Sequence, residues 1–198
     1  ITTPALPSLG TCTISFWYWR DYSYHQNMFR STGGSTTNVQ WGGSNLAAVG
    51  GGGTVYRDNV AQISSGDHNT WHHMVIAGIT IDGTGGSATI GNGNGFKFKG
   101  LIDEFSIFEG TWDTDEIAEM YNSGSPLNAS DHSDSTNLKH YWRNNQLDSS
   151  GSWEDTIGGK DGVVTGSDTI FLPEGITSGK DSQGFACNIK QSGRGSAW

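Results

Sequence analysis

The sequence is poor in cysteine, proline and basic residues, and each scarcity excludes something. Its two cysteines, Cys12 and Cys187, do not amount to a disulfide framework. They lie near opposite ends and leave two readings open: a single bridge, if folding brings their Cα atoms within about 7 Å, or two buried thiols. Eleven Lys and Arg stand against twenty Asp and Glu, a net charge of −9. The basic residues are scattered, and the nearest thing to a cluster, Lys97 and Lys99, is an alternating strand face. A phosphate-binding face needs clustered Lys and Arg, so the charge argues against nucleic acid. An acidic surface instead suits cations and neutral partners such as glycans or proteins. No apolar run approaches the roughly 18 residues that span a bilayer.

Several chemistries are missing as well. The cysteines do not cluster, and His68 and His72 would share a face only on a helix, which the flanking Gly and Trp disfavour, so zinc is not expected. Gly50–Gly53 lacks the Lys-Ser/Thr that completes a phosphate loop. No Gly-x-Ser-x-Gly elbow marks a nucleophilic serine. Retaining glycosidases need two carboxylates turned into one cleft, and the nearest candidates are Asp103, Glu104 and Glu109. Neighbours on a regular strand face opposite sides, so Asp103 and Glu104 are expected apart. No catalytic residue is assigned, and the chain reads as a non-enzyme.

What the sequence does have is glycine, thirty in all, with eight Trp, six Tyr and eight Phe, enough for a core despite a mean hydropathy of −0.47. Thr11 to Trp19 is β-branched and aromatic without a breaker, and reads as a strand. Ile14, Phe16 and Tyr18 fall on one face; Ser15, Trp17 and Trp19 fall on the other, so the strand is expected to be covered on both sides. Short strands separated by glycine clusters follow at 27–31, 38–42, 46–49, 54–57, 71–81, 87–90 and 95–108, the pattern of an all-β sandwich. One helix interrupts them near 114–122. Asp113 and Glu116 make a capping box, Ile117, Met120 and Tyr121 an apolar stripe, and Gly124 and Pro126 the stop, so the helix is expected to plug one end of the sandwich. The expected organisation is a sandwich over 1–126, a polar linker over 127–137, and a C-terminal β segment over 138–198 that packs on or completes the same sandwich.

Three motifs, TISFWYW at 13–19, NTWHHMVIAG at 69–78 and FKGLIDEFSIFEGTWDTDEIAEMYNSG at 98–124, resemble the laminin-G-like, concanavalin A-like lectin family in order and spacing. The resemblance implies an antiparallel jelly-roll β-sandwich. The segment LKHYWRNNQLDSSGSWEDTIGGKDGVV at 138–164 is similar to the family's usual opening, placed here after the helix, and would bring Cys187 toward Cys12 if it closes the sandwich. That layout resembles structural proteins of tailed phages and implies an extracellular or virion-surface location, with other virion proteins, further copies of the chain, or cell-surface glycans as partners. The alternative is a secreted calcium-dependent lectin or carbohydrate-binding module, and a third reading is an inactive glucanase relative.

Calcium is the one ion the resemblance implies, through turn carboxylates Asp103, Asp155 and Asp161. The bland reading is that these aspartates cap turns. For carbohydrate, an exposed aromatic beside polar groups is required, and Tyr24, His25, Trp41 and Tyr56 lie in or near Asn- and Gly-rich loops. Trp17, Trp71 and Trp142 are expected in the core.

Overall fold

The computed structural model describes residues 1–20, 25–33, 36–42, 45–49, 51–61, 69–82, 86–93, 95–147, 152–163, 169–171 and 189–191. Among them the strands begin with β1 (Thr2–Thr3), β2 (Gly10–Arg20), β3 (Gln26–Ser31), β4 (Thr37–Gly42), β5 (Asn45–Val49) and β6 (Thr54–Arg57). Then come β7 (Val60–Ala61), β8 (Trp71–Ile81), β9 (Ala88–Ile90), β10 (Asn92–Gly93), β11 (Phe96–Lys97) and β12 (Gly100–Glu109). Helix α1 (Thr114–Tyr121) precedes β13 (Leu138–Leu147), β14 (Trp153–Asp155), β15 (Thr169–Phe171) and β16 (Ile189–Gln191).

The protein is an all-β, antiparallel sandwich. One sheet has the order β1-β9-β3-β4-β5 and the other β14-β13-β12-β2-β8-β6-β7. Alternation along each strand builds the core between them. Ile14, Phe16 and Tyr18 of β2, Met74 and Ile76 of β8, and Phe105 and Ile107 of β12 meet Met28, Phe29, Val39, Trp41 and Ile90 of the smaller sheet. Strand β2 lies near the centre of the larger sheet, hydrogen-bonded to β8 on one side and β12 on the other. A strand so placed needs apolar material on both faces, which is what its aromatics supply.

The chain after the helix ties the two sheets together. Strand β13 pairs with β12 (Phe105 opposite Trp142), β14 pairs with β13, and bridges run from Trp153 to Gly162 and from Val163 to Thr2 of the smaller sheet. Trp142 and Trp153 are fully buried in the core as a result.

Helix α1 carries the expected capping box: Asp113 accepts from the backbone N–H of Asp115 and Glu116, while Glu116 accepts from that of Asp113. It does not plug an end. Its apolar stripe lies on the outer face of the larger sheet, where Ile117 and Met120 pack with Val75, Phe108 and Leu138. The stretch read as a polar linker is folded beneath it, in two short 3-10 turns at Ala129–Asp131 and Ser135–Asn137. His132 is buried there, stacked on Trp112 at 4.4 Å and donating from Nε2 to the Glu116 carbonyl. Polar composition misleads in this stretch because Asn128, His132, Ser133, Asp134 and Asn137 close on backbone or side-chain partners nearby.

Cys12 is a free thiol, fully buried, with its Sγ–H donating to the Ile79 carbonyl at 3.2 Å; Cys187 lies outside the described residues. Burial pushes the Cys12 thiol up to about 12. Because the thiolate is the reactive form, a C187S variant should resist a thiol reagent at pH 8 while folded and react fully in guanidinium. Rapid labelling of the native protein would show that the core opens around β2.

Candidate binding face on the larger sheet

The outward residues of four adjacent strands form rungs across the larger sheet. In the first rung, Trp19 of β2 stands between Trp71 of β8 and Leu101 of β12. In the second, Trp17 stands between His73 and Asp103. In the third, Ser15 stands between Val75 and Ser106, with Tyr141 of β13 beyond. Helix α1 covers the third rung with Met120 and Ile117 and part of the second with Tyr121, whose ring stacks on Trp17 and on His73, each at 6.0 Å. The first rung is left half open: Trp19, Leu101 and Tyr121 are partly exposed over the buried Trp17 and Trp71.

A bulge in β12 supplies the polar edge of this face. The register with β2 slips between Asp103 and Ser106, and Glu104 takes a left-handed backbone at φ 51°. An inserted residue bends the strand and re-aims its side chain. Asp103 holds the turn by accepting from the Glu104 N–H at 2.7 Å. Two successive carboxylates therefore share the outer face, contrary to the alternation expected of a regular strand. The Glu104 carboxylate accepts from the Tyr141 hydroxyl and from Arg143 Nε at 3.3 Å. Burial raises the Glu104 carboxyl above its ordinary value, and Arg143 pulls it back down in part.

Beneath Tyr121, Ser15 Oγ and His73 Nε2 are 2.9 Å apart. Both residues are buried, and burial pushes the imidazole down to about 3. The nearest carboxylate, Asp58, is spent elsewhere: Oδ2 meets His72 Nδ1 at 2.6 Å and Oδ1 accepts the His73 backbone N–H at 2.9 Å. A nucleophilic triad needs a carboxylate on the second imidazole nitrogen and access to substrate. Neither condition holds for this pair.

The residues proposed from sequence for carbohydrate do not converge. Tyr24 lies outside the described residues. His25 is exposed, with its ring tilted against that of Phe96 at 5.6 Å. Trp41, opposite Gln26 on the neighbouring strand, is a core residue, with the Arg20 guanidinium 3.8 Å from its ring centre. Tyr56 packs on the outer face of the larger sheet, beside the cluster containing Val75.

The three aspartates considered for calcium serve backbone groups. Asp155 Oδ1 accepts from the N–H groups of Tyr141, Ile157 and Gly158, and Oδ2 from His140 Nδ1 and the Lys160 N–H. Asp161 Oδ1 accepts from the Asp155 N–H, and Asp103 lies in the bulge described above. Among the described residues, no three His, Cys, Asp or Glu side chains are grouped to hold a metal ion.

Sequence reasoning missed the face itself. The signal was present in the alternation that sets Trp17 and Trp19 opposite Ile14, Phe16 and Tyr18. Trp17 and Trp71 are buried as expected, though outside the inter-sheet core, under Tyr121 and beside Trp19. Comparison with family models, with curated proteins and with solved structures finds no match for this chain.

Proposed function

We propose that this chain is a non-enzymatic surface module of a virus particle, with a laminin-G-like jelly roll, which holds glycans on the outer face of its larger sheet. The observation that carries the glycan reading is the rung Trp71–Trp19–Leu101, flanked by Tyr121, with the Glu104–Arg143 pair farther along the same outer face. Aromatic rings offer flat apolar area to the C–H faces of a sugar, and a few fixed polar groups at the margin orient its hydroxyls. The non-enzymatic reading is supported by the burial of the Ser15–His73 pair and by the engagement of Glu104 with Tyr141 and Arg143. The particle context rests on the resemblance in layout alone.

A glycan array probed with the wild-type chain and a W19A variant tests the face. Wild type should retain a defined set of glycans, and W19A should lose them by at least about tenfold, as expected for removing an aromatic anchor. Equal retention by both proteins, or none by wild type, would sink the proposal. Detection of the chain by mass spectrometry in purified particles tests the context, and its absence from particles would favour the secreted lectin.

A further inference from the structure

We infer that Tyr121 is a built-in plug over a second sugar subsite, whose wall is the Trp17 ring and whose floor is Nδ1 of His73. The inference rests on the glycan reading above and adds to it a site that the resting protein keeps closed.

The floor is an orphaned nitrogen. His73 is 1 % exposed, and its Nε2 meets Ser15 Oγ at 2.9 Å. Among the described residues, its Nδ1 has no hydrogen-bond partner. A buried polar atom in that state costs stability, and nearly all such atoms in native proteins are paired. Burial pushes the imidazole down to about 3, so the ring is neutral, with a proton on one nitrogen and a lone pair on the other. If Ser15 donates to Nε2, Nδ1 is left as a donor; if Ser15 accepts, Nδ1 is left as an acceptor. A sugar hydroxyl satisfies either tautomer, whereas a carboxylate satisfies only one and an ammonium only the other. A buried water is a poorer match, because it needs roughly two to four polar partners and the neighbouring rings of Trp17 and Tyr121 are aromatic.

The plug occupies the place a sugar ring would take. Tyr121 lies on Trp17 at an interplanar angle of 20° and on His73 at 24°, both at 6.0 Å. An indole face so covered is equally suited to the C–H face of a pyranose. Stacking is what holds the phenol in place: among the described residues no hydrogen bond reaches its hydroxyl. Trp17 follows Trp19 on the same face of β2, about 7 Å along the strand, so a glycan lying on the open rung meets Tyr121 next.

A strained hinge adjoins the plug. Helix α1 ends at Tyr121, and the next three residues all take a left-handed backbone, Asn122 at φ 46°, Ser123 at 56° and Gly124 at 90°. Glycine adopts this conformation freely and asparagine often caps helices in it, but serine pays a steric penalty there. Opening of the last turn relieves Ser123 and so offsets part of the stacking that is lost.

Glycan arrays read over a range of protein concentration with wild type, Y121A, S123G and W19A test this. Y121A should hold the same glycans as wild type roughly tenfold more tightly, because no ring has to be displaced. S123G should hold them roughly fivefold more weakly, because glycine removes the left-handed penalty that favours opening. In isotope-labelled Y121A, the His73 Nδ1 resonance should move when the glycan best retained on the array is added. Circular dichroism confirms that each variant folds; if Y121A does not, S123G decides, since Ser123 is exposed. Weaker binding by Y121A would make Tyr121 part of the platform and overturn the plug while leaving the face as a glycan site. Binding unchanged in both Y121A and S123G would overturn it as well. A His73 Nδ1 resonance that stays put at saturation would overturn the role of that nitrogen. No retention by any of the proteins, or retention indifferent to W19A, would remove the underlying glycan reading itself.

Discussion

Lowering the pH from 6.5 toward 3 is expected to cost the folded state roughly 4–5 kcal/mol through the single side chain of His73. Burial pushes this imidazole from an ordinary 6.5 down to about 3, with the nearby Asp58 charge raising it only slightly. Its ring is enclosed by Ser15, Trp17 and Tyr121, so the neutral form is the one the fold accepts. The unfolded chain takes up a proton near 6.5 and the folded chain does not, so the unfolded state binds more protons throughout that window. Stability therefore rises with pH across it and falls on acidification. Asp58 adds to the loss lower down. Burial pushes its carboxyl up, but hydrogen bonds from His72 and the His73 N–H, helped by the charges of His72 and Arg57, outweigh that and hold it below its ordinary value. A carboxylate held low contributes stability at neutral pH that disappears as pH falls through its folded value. The check is urea unfolding of wild type and H73Q at pH 7, 6, 5 and 4. Glutamine can still accept from Ser15 and has no proton to take up, so the H73Q midpoint should stay nearly flat where that of wild type drops. Parallel slopes would place the acid sensitivity elsewhere.

The same region shows what was legible in the sequence and what was not. The sandwich was legible because it depends on local chemistry: β-branched and aromatic runs, glycine punctuation, and one capping box formed by Asp113 and Glu116. The burial of Trp142 followed from its strand. The outer face proposed above for glycans was not legible, for two reasons. The first is non-local register: Trp71, Trp19 and Leu101 are strangers in sequence and become neighbours only when β8, β2 and β12 pair. The second is the bulge at Glu104. Strict alternation sends Asp103 and Glu104 to opposite faces, and one inserted residue reverses that conclusion while leaving no composition signal, since a glutamate at φ 51° is an uncommon choice. The helix was found correctly but docked wrongly, because an amphipathic stripe states that a face is buried and not what buries it.

Asp155→Ala should destabilise the protein by about 3–5 kcal/mol, the scale of leaving several buried donors without their acceptor at once. Asp58→Ala should cost clearly less. The two aspartates sit in matching clasps. Each presents Oδ2 to a histidine Nδ1 at 2.6 Å and accepts, on Oδ1, the backbone N–H of the next residue at 2.9 Å: His72 and His73 for Asp58, His140 and Tyr141 for Asp155. In the sheet order, β8 and β6 flank β2 on one side as β13 and β14 flank β12 on the other, so the clasps hold equivalent outer strand pairs. Exposure separates them. The Asp58 side chain is 30 % exposed and water can replace part of what it does, whereas that of Asp155 is 0 % exposed. Asp155 also gathers the N–H groups of Ile157, Gly158 and Lys160, so its loss strands three further donors with His140 still buried. Asn at this position should rescue little, because its NH₂ would face those donors in place of an oxygen. Equilibrium urea unfolding of D155A, D155N and D58A ranks the three directly. Addition of a calcium chelator to wild type gives the complementary reading: a carboxylate ringed by N–H donors leaves a cation nothing to bind, so the melting temperature should not move. A D155A cost no greater than that of D58A, or a melting temperature that falls on chelation, would mean that Asp155 serves an ion and not the turn that follows it.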